Sequence, residues 1–322
     1  MRSPVLSTSF TIAFLVLAGF GSQCQVSKAQ FLAELPSTTT EAGDQSGSAR
    51  FPSFEERVRR AEAGDPAAQN NIGHDYAFSN GVHQSYQDAV KWLTSAASTG
   101  FLPAQINLAL LYEKGWGNGR IDLAEAALWF RAAAEQGDIA AQCKLGSSYQ
   151  YGQGVPQDYS EAANWYRKAA DQGNAVAQNN LGGLYQHGTG LKQDYAEARY
   201  WYQKAAEQGL PEAENNIGVI YEDGLGVEKD YQQASDWYRA SAMHGATRGE
   251  YNLAMMYFLG RGVSLDYGSA YVWFGRAAAA GDAEAARRLK TLSTIMTPRQ
   301  KHAALAQGSG GQDASMSNEP LH

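Results

Sequence analysis

One asparagine recurs at a fixed spacing along the 322-residue chain and is its most regular polar feature. Its five occurrences are separated by 36 or 37 residues or by multiples of that spacing: Asn71, Asn107, Asn180, Asn216 and Asn252. Lys144 takes the one remaining place in the series. A primary amide donates and accepts hydrogen bonds, so a row of amides can hold the backbone of an extended peptide. Alternatively, each asparagine bonds a neighbouring helix or turn and belongs to the fold.

An apolar stripe is the second candidate for binding a partner. Tyr251, Met255 and Phe258 are spaced i, i+4 and i+7, which places them on one side of a helix. Such a stripe predicts a hydrophobic docking site for a protein. The alternative is that the chain's own last helix, around residues 298–306, folds back on it.

Catalytic signatures are missing from the sequence. It contains no Ser-x-x-Lys, Gly-x-Ser-x-Gly, Walker-type glycine loop or His-Glu-x-x-His. Its Gly-x-Gly pairs follow predicted helices rather than strands, which favours turns over a phosphate cradle. The six histidines share no ligand spacing, so we expect them on the surface or in turns and expect no metal. No cofactor is predicted.

The two cysteines, Cys24 and Cys143, are too few for a scaffold of several disulfides. A reactive Cys143 would need a cationic setting, and the adjacent Lys144 points about 100° away around a helix. We therefore expect Cys143 to be inert. The formal net charge is −7 and basic residues form no run, which argues against a nucleic-acid partner.

A glycine period organises the whole middle of the chain. Glycine recurs every 36 or 37 residues, at Gly64, Gly100, Gly137, Gly173, Gly209, Gly245 and Gly281. Counting this glycine as repeat position 1, position 13 is always Tyr and position 29 is always Trp, with one inserted residue in the second unit. A period of this length is typical of solenoids built from two-helix units. We expect the six Trp rings to dominate the core.

Each unit divides into two helices. Ala177, Leu181 and Tyr185, at positions 5, 9 and 13 of the fourth unit, form one stripe of a first helix. Glycines at positions 16 and 18 end that helix, and an aspartate at position 22 caps the second. No stretch alternates with period two, so the fold class is all-α. The array of six units spans 64–280, with capping helices predicted at 53–63 and 281–306.

The ends of the chain have a different composition. Arg2 precedes an apolar run at 10–20, which is typical of a secretory signal peptide at 1–29 cleaved after Ala29. A lipid anchor at Cys24 is the alternative. We expect a flexible linker at 30–52, a disordered tail at 307–322, and a mature chain without a transmembrane span that is periplasmic or secreted.

The fourth unit resembles the Sel-1-like repeat, a relative of the tetratricopeptide repeat. The resemblance is carried by Ala-Gln-Asn-Asn-Leu-Gly-Gly-Leu-Tyr at 177–185 and then by Gly188, Gly190, Asp194 and Trp201. It implies a right-handed α-solenoid of helix-turn-helix repeats, and a non-catalytic adaptor or scaffold that binds a protein or peptide along its concave face. There the first helices would point the repeated asparagines into the groove. One cysteine-rich branch binds or cleaves β-lactams, which is the alternative function, but this chain lacks that branch's paired cysteines.

Overall fold

The computed structural model describes Cys24 and residues 53–115 and 119–309. The predicted signal peptide, except for Cys24, lies outside the described residues, as do the linker at 30–52 and the tail from 310 onward. The described part is all-α, as predicted, and has fifteen helices and no strand. They are α1 (Phe54–Glu62), α2 (Pro66–Phe78), α3 (Tyr86–Ser98), α4 (Leu102–Lys114), α5 (Leu123–Glu135), α6 (Ile139–Tyr151), α7 (Tyr159–Asp171), α8 (Ala175–His187), α9 (Tyr195–Ala206), α10 (Pro211–Asp223), α11 (Tyr231–Met243), α12 (Thr247–Leu259), α13 (Tyr267–Ala279), α14 (Ala283–Ile295) and α15 (Pro298–Ser309).

The chain forms two compact bodies, Met1–Gln193 and Asp194–His322. In the first body α2 packs on α3, α4 on α5 and α6 on α7, and each second helix also contacts the next first helix. In the second body α10 packs on α11 and α12 on α13, with the same contact to the following helix. Consecutive helix pairs therefore stack within each body, which is the arrangement of an α-solenoid.

The turns between helices confirm the predicted roles of glycine and aspartate. In the third unit Gly152 and Gly154 have φ values of 67° and 76°. A Cβ atom at Gly154 would collide with the carbonyl group of Leu123, so only glycine fits there. The Asp158 carboxylate then accepts hydrogen bonds from the N–H groups of Ser160 and Glu161, at 2.9 and 3.1 Å, and caps α7.

The expectation that the tryptophans dominate the core is wrong, because the residue after each tryptophan is more deeply buried. Trp165 and Trp201 are buried, each 6% exposed, but the other four repeat tryptophans are only half-buried. The innermost side chain of each unit is at position 30, and its six members are at most 3% exposed: Leu93, Phe130, Tyr166, Tyr202, Tyr238 and Phe274. Positions 29 and 30 differ by about 100° around the helix, so they cannot both face the first helix of their unit.

The small residue at repeat position 10 makes room for the position-30 ring. A Cβ atom on Gly146 would lie 2.7 Å from Tyr166 Cδ1, and one on Gly218 would lie 2.6 Å from Tyr238 Cδ1. The second and sixth units, which have alanine at position 10, have phenylalanine at position 30. In the five units with an aromatic residue at position 30, glycine therefore faces tyrosine and alanine faces phenylalanine.

Both ends of the array are closed by helices. Ser53 caps α1 by accepting a hydrogen bond from Glu56 N at 3.2 Å. At the other end α14 follows α13, and the cap of α15 is reciprocal: Gln300 N donates to Thr297 Oγ1, and Thr297 N donates to Gln300 Oε1. The last helix continues to Ser309, beyond the boundary predicted at residue 306. A glycine in the final turn, here Gly308, does not break a helix.

Candidate functional site

The repeated asparagines lie where successive first helices meet. Helices α2 and α4 contact each other directly, as do α10 and α12. Across these contacts Asn107 Nδ2 donates to Asn70 Oδ1 at 2.8 Å, and Asn252 Nδ2 donates to Asn215 Oδ1 at 2.8 Å. The predicted asparagine at position 8 thus bonds an asparagine at position 7 of the preceding unit. The structural role considered for these amides is therefore present at Asn107 and Asn252.

The five asparagines differ in accessibility. Asn107 and Asn180 are each only 4% exposed, whereas Asn71, Asn216 and Asn252 are half-buried. Asn71 belongs to the first unit and so has no preceding unit to bond. Its Oδ1 is buried and accepts no hydrogen bond from the described part of the chain. The partner-binding role of the row stays a prediction.

Lys144 is an exception with a physical explanation. Position 7 of the preceding unit is Ile106, which has no amide to offer. Lys144 instead extends to Glu113, with Nζ 2.8 Å from Oε1, and is only 8% exposed. An ion pair replaces the amide pair here, so the row is interrupted in the third unit.

The apolar stripe of the sixth unit is partly covered by the chain itself. Tyr251, Met255 and Phe258 are half-buried and pack against a cluster that includes Phe274 of α13 and Ala304 of α15. Ring centroids lie 5.6 Å apart for Tyr251 and Phe274, and burial raises the pKa of the Tyr251 hydroxyl. The last helix α15 packs on α13, and its direct contact with the stripe stays a prediction. A role of the stripe in partner binding stays a prediction.

Cys143 forms a disulfide with Cys24, a pairing that was not predicted from the sequence. Both residues are buried, at 1% and 7% exposure. The bond joins positions 119 residues apart, so sequence spacing gave no indication of it. Cleavage after Ala29 would place Cys24 on the removed segment, so the predicted cleavage site and this bond are alternatives, and a Cys24 sulfur in the bond cannot also carry a lipid.

The histidines form no metal site in the described residues, where no cluster of three or more potential ligands occurs. The expectation of surface and turn positions is wrong for His74, which lies inside α2 at 1% exposure and contacts the Phe78 ring. Burial lowers the pKa of His74. His244 Nδ1 lies 2.9 Å from both carboxylate oxygens of Glu214.

Glu214 replaces a glutamine that recurs at repeat position 6. In the second and third units Gln105 and Gln142 accept hydrogen bonds from Gln136 and Gln172 at 2.7 and 2.8 Å. In the fifth unit an acid and an imidazole stand at the same two positions. Burial raises the pKa of Glu214, against the lowering effect of the His244 hydrogen bond and with a smaller contribution from Glu212.

We expect Glu214→Gln to stabilise the protein above the folded-state pKa of Glu214. Because folding raises this pKa, the contribution of Glu214 to stability is present below its unfolded pKa and lost as the pH rises through the folded value. The gain should be about 1 kcal/mol at pH 8 and absent at pH 4, measured by urea unfolding. Glu212→Gln, at an exposed position of the same helix, is the control and should change stability by less than about 0.5 kcal/mol. An equal gain at both pH values would contradict the prediction.

Within residues 53–115 and 119–309, every helix is too short or too polar to span a membrane.

Comparison with known proteins gives a consistent result. The family model described as the Sel1 repeat matches six consecutive segments of the chain: 66–101, 102–138, 139–174, 175–210, 211–245 and 247–282. A structure described as that of c5321, a protective antigen present in uropathogenic Escherichia coli strains displaying an SLR fold, is 36% identical and covers 80% of this chain with a TM-score of 0.68. This chain spans 55% of the length of that protein. A Sel1 repeat protein from Oxalobacter formigenes is 33% identical, with a TM-score of 0.69 over 81% of this chain and 77% of the other. No curated protein matches the chain.

Proposed function

Because the chain belongs to the Sel1 repeat family, whose members generally mediate protein–protein interactions and are typically non-enzymatic, we propose that it is an extracytoplasmic adaptor. It binds an extended protein segment along the face formed by its first helices, which is the concave face expected from the family resemblance. The repeated asparagines hold the backbone of that segment.

The observation that carries this proposal is the direct contact between successive first helices. The Asn107–Asn70 and Asn252–Asn215 bonds place amides of adjacent units 2.8 Å apart, so the amides follow one another along each body. Each inter-unit bond uses one amide proton of the donor and leaves a second N–H and a carbonyl oxygen. A peptide backbone supplies matching donors and acceptors at regular spacing.

Three observations support the extracytoplasmic location. Residues 10–20 form an apolar run after Arg2, as in secretory signals. The Cys24–Cys143 disulfide requires an oxidising compartment, such as the periplasm or the cell exterior. The similar Escherichia coli protein is described as a protective antigen. To retain Cys24, cleavage would have to occur upstream of it, and Gly19 and Gly21 provide small residues for cleavage after Gly21.

The proposal predicts that removing two half-buried amides weakens partner binding. We expect Asn71→Ala combined with Asn216→Ala to bind about tenfold more weakly, since each lost hydrogen bond contributes about 1 kcal/mol or less. The partner is first captured from an envelope fraction by cross-linking to the intact protein, and its dissociation constant is then measured by calorimetry with the purified partner.

Two variants make the result interpretable. Leu128→Ala changes a side chain that is 56% exposed on the second helix α5, and it should bind as the unchanged protein does. Asn107→Ala leaves Asn70 without its hydrogen-bond donor. This variant should lower the free energy of unfolding, whatever its effect on binding. Unchanged binding by the folded double variant would refute the role of the row. Hydrolysis of nitrocefin by the purified protein would instead favour the β-lactamase alternative.

A further inference from the structure

An arginine stacks on the position-13 tyrosine of the following unit at three places in the array. The guanidinium carbon lies 5.6 Å from the ring centroid for Arg131 and Tyr149, and 5.4 Å for Arg167 and Tyr185. In both pairs an arginine N–H also donates to the tyrosine hydroxyl. Arg239 lies 5.8 Å from the ring centroid of Tyr257 in the same register. The repeat thus places its own cation over this tyrosine.

The fourth unit lacks this arginine. Its position 31 is Gln203, which is shorter and uncharged, and the tyrosine of the following unit is Tyr221. At this place the second body has a cavity of about 370 Å³ that opens to solvent between α9 and α11. Both Gln203 and Tyr221 line it. Beside Tyr257, by contrast, Arg239 itself lines the surface depression.

The remaining walls of the cavity are suited to a planar cation. They include Asp236 and Trp237 from α11 and Tyr200, which is 51% exposed, from α9. Asp236 supplies a negative charge, and guanidinium groups both pair with carboxylates and stack on aromatic rings. Arg199 is the one cation among the lining residues, and it is exposed.

We propose that this cavity binds an arginine side chain of a protein segment, which fills the place of the arginine missing from the fourth unit. The site lies on the second helices α9 and α11 with Tyr221 from α10, so it is separate from the asparagine row. This proposal takes one premise from the proposed adaptor function, which is that the arginine belongs to a protein partner.

The test uses a small probe and needs no knowledge of the partner. N-acetyl-arginine amide is titrated into the full protein while NMR resonances of residues 196–237 are followed, with N-acetyl-citrulline amide as the uncharged analogue of equal shape. We expect saturable shifts with the arginine probe and about fivefold weaker binding of the citrulline probe. No saturable shift, or equal binding of the two probes, would overturn the proposal.

Three variants test the geometry. Gln203→Arg introduces the arginine that the second, third and fifth units have at this position, so it should keep or raise the thermal midpoint and abolish probe binding. Asp236→Asn should bind the arginine probe at least threefold more weakly. Arg199→Ala removes the competing cation and should bind the arginine probe as tightly or more tightly; weaker binding in this variant would contradict the proposed arrangement of charges. A negative probe result leaves the Asn71 and Asn216 experiment unaffected, so the two proposals fail separately.

Discussion

Replacing Tyr166 by alanine is expected to lower the free energy of unfolding by about 3 to 5 kcal/mol. The Tyr166 side chain is fully buried, and its ring fills the space left by Gly146 on the facing helix. Its hydroxyl donates to Gln150 Oε1 at 2.7 Å, so the substitution also removes the partner of a buried amide. The cavity cannot close without moving α6 against α7, which are the two helices of the third unit.

The same substitution should also reduce the cooperativity of unfolding. Helix pairs contact mainly their neighbours, so a weakened third unit uncouples the units before it from those after it. Urea unfolding followed by circular dichroism should then show two transitions for Tyr166→Ala, compared with a single transition for the unchanged protein. Tyr200→Ala, at a side chain that is 51% exposed, is the matched control and should cost less than about 1 kcal/mol. A loss below 1 kcal/mol for Tyr166→Ala would contradict the observed register of α7.

The fold could be predicted because glycines and aspartates recur at the same helix-end positions in most units. Gly152 and Asp158 end one helix and begin the next by local geometry, and local geometry is readable from residue type. The ranking of the core residues could not be read in the same way. Trp165 has the larger apolar side chain, but it is Tyr166 that faces Gly146 on the first helix and is the more deeply buried of the two.

The candidate site was predicted only in part, because an interaction between units depends on two positions. The asparagine at position 8 was recognised by its regularity, while its acceptor at position 7 is an asparagine in only some units. A signal was present: Asn70 is followed one unit later by Asn107, and Asn215 by Asn252, whereas Ile106 is followed by Lys144. Pairing the two positions would have indicated the bonds that the structure contains.

Breaking the disulfide between Cys24 and Cys143 is expected to lower the free energy of unfolding by about 2 to 4 kcal/mol. The bond closes a long loop, across a sequence separation of 119 residues, and therefore restricts the unfolded chain strongly. Cys24→Ser tests this without placing a new polar group inside the array, since Cys143 remains in α6. Unfolding is measured in urea with and without a reducing agent.

Reduction provides the internal control for this prediction. The reductant should destabilise the unchanged protein to the level of Cys24→Ser and should leave that variant unaffected, because it has no bond to lose. Two thiols that react with an alkylating reagent in the non-reduced, unfolded protein would refute the bond, as would equal stability of the variant and the unchanged protein. Because the bond stabilises the fold only where thiols are oxidised, a confirmed effect would mean that the protein reaches its full stability only in an oxidising compartment, as its proposed export requires.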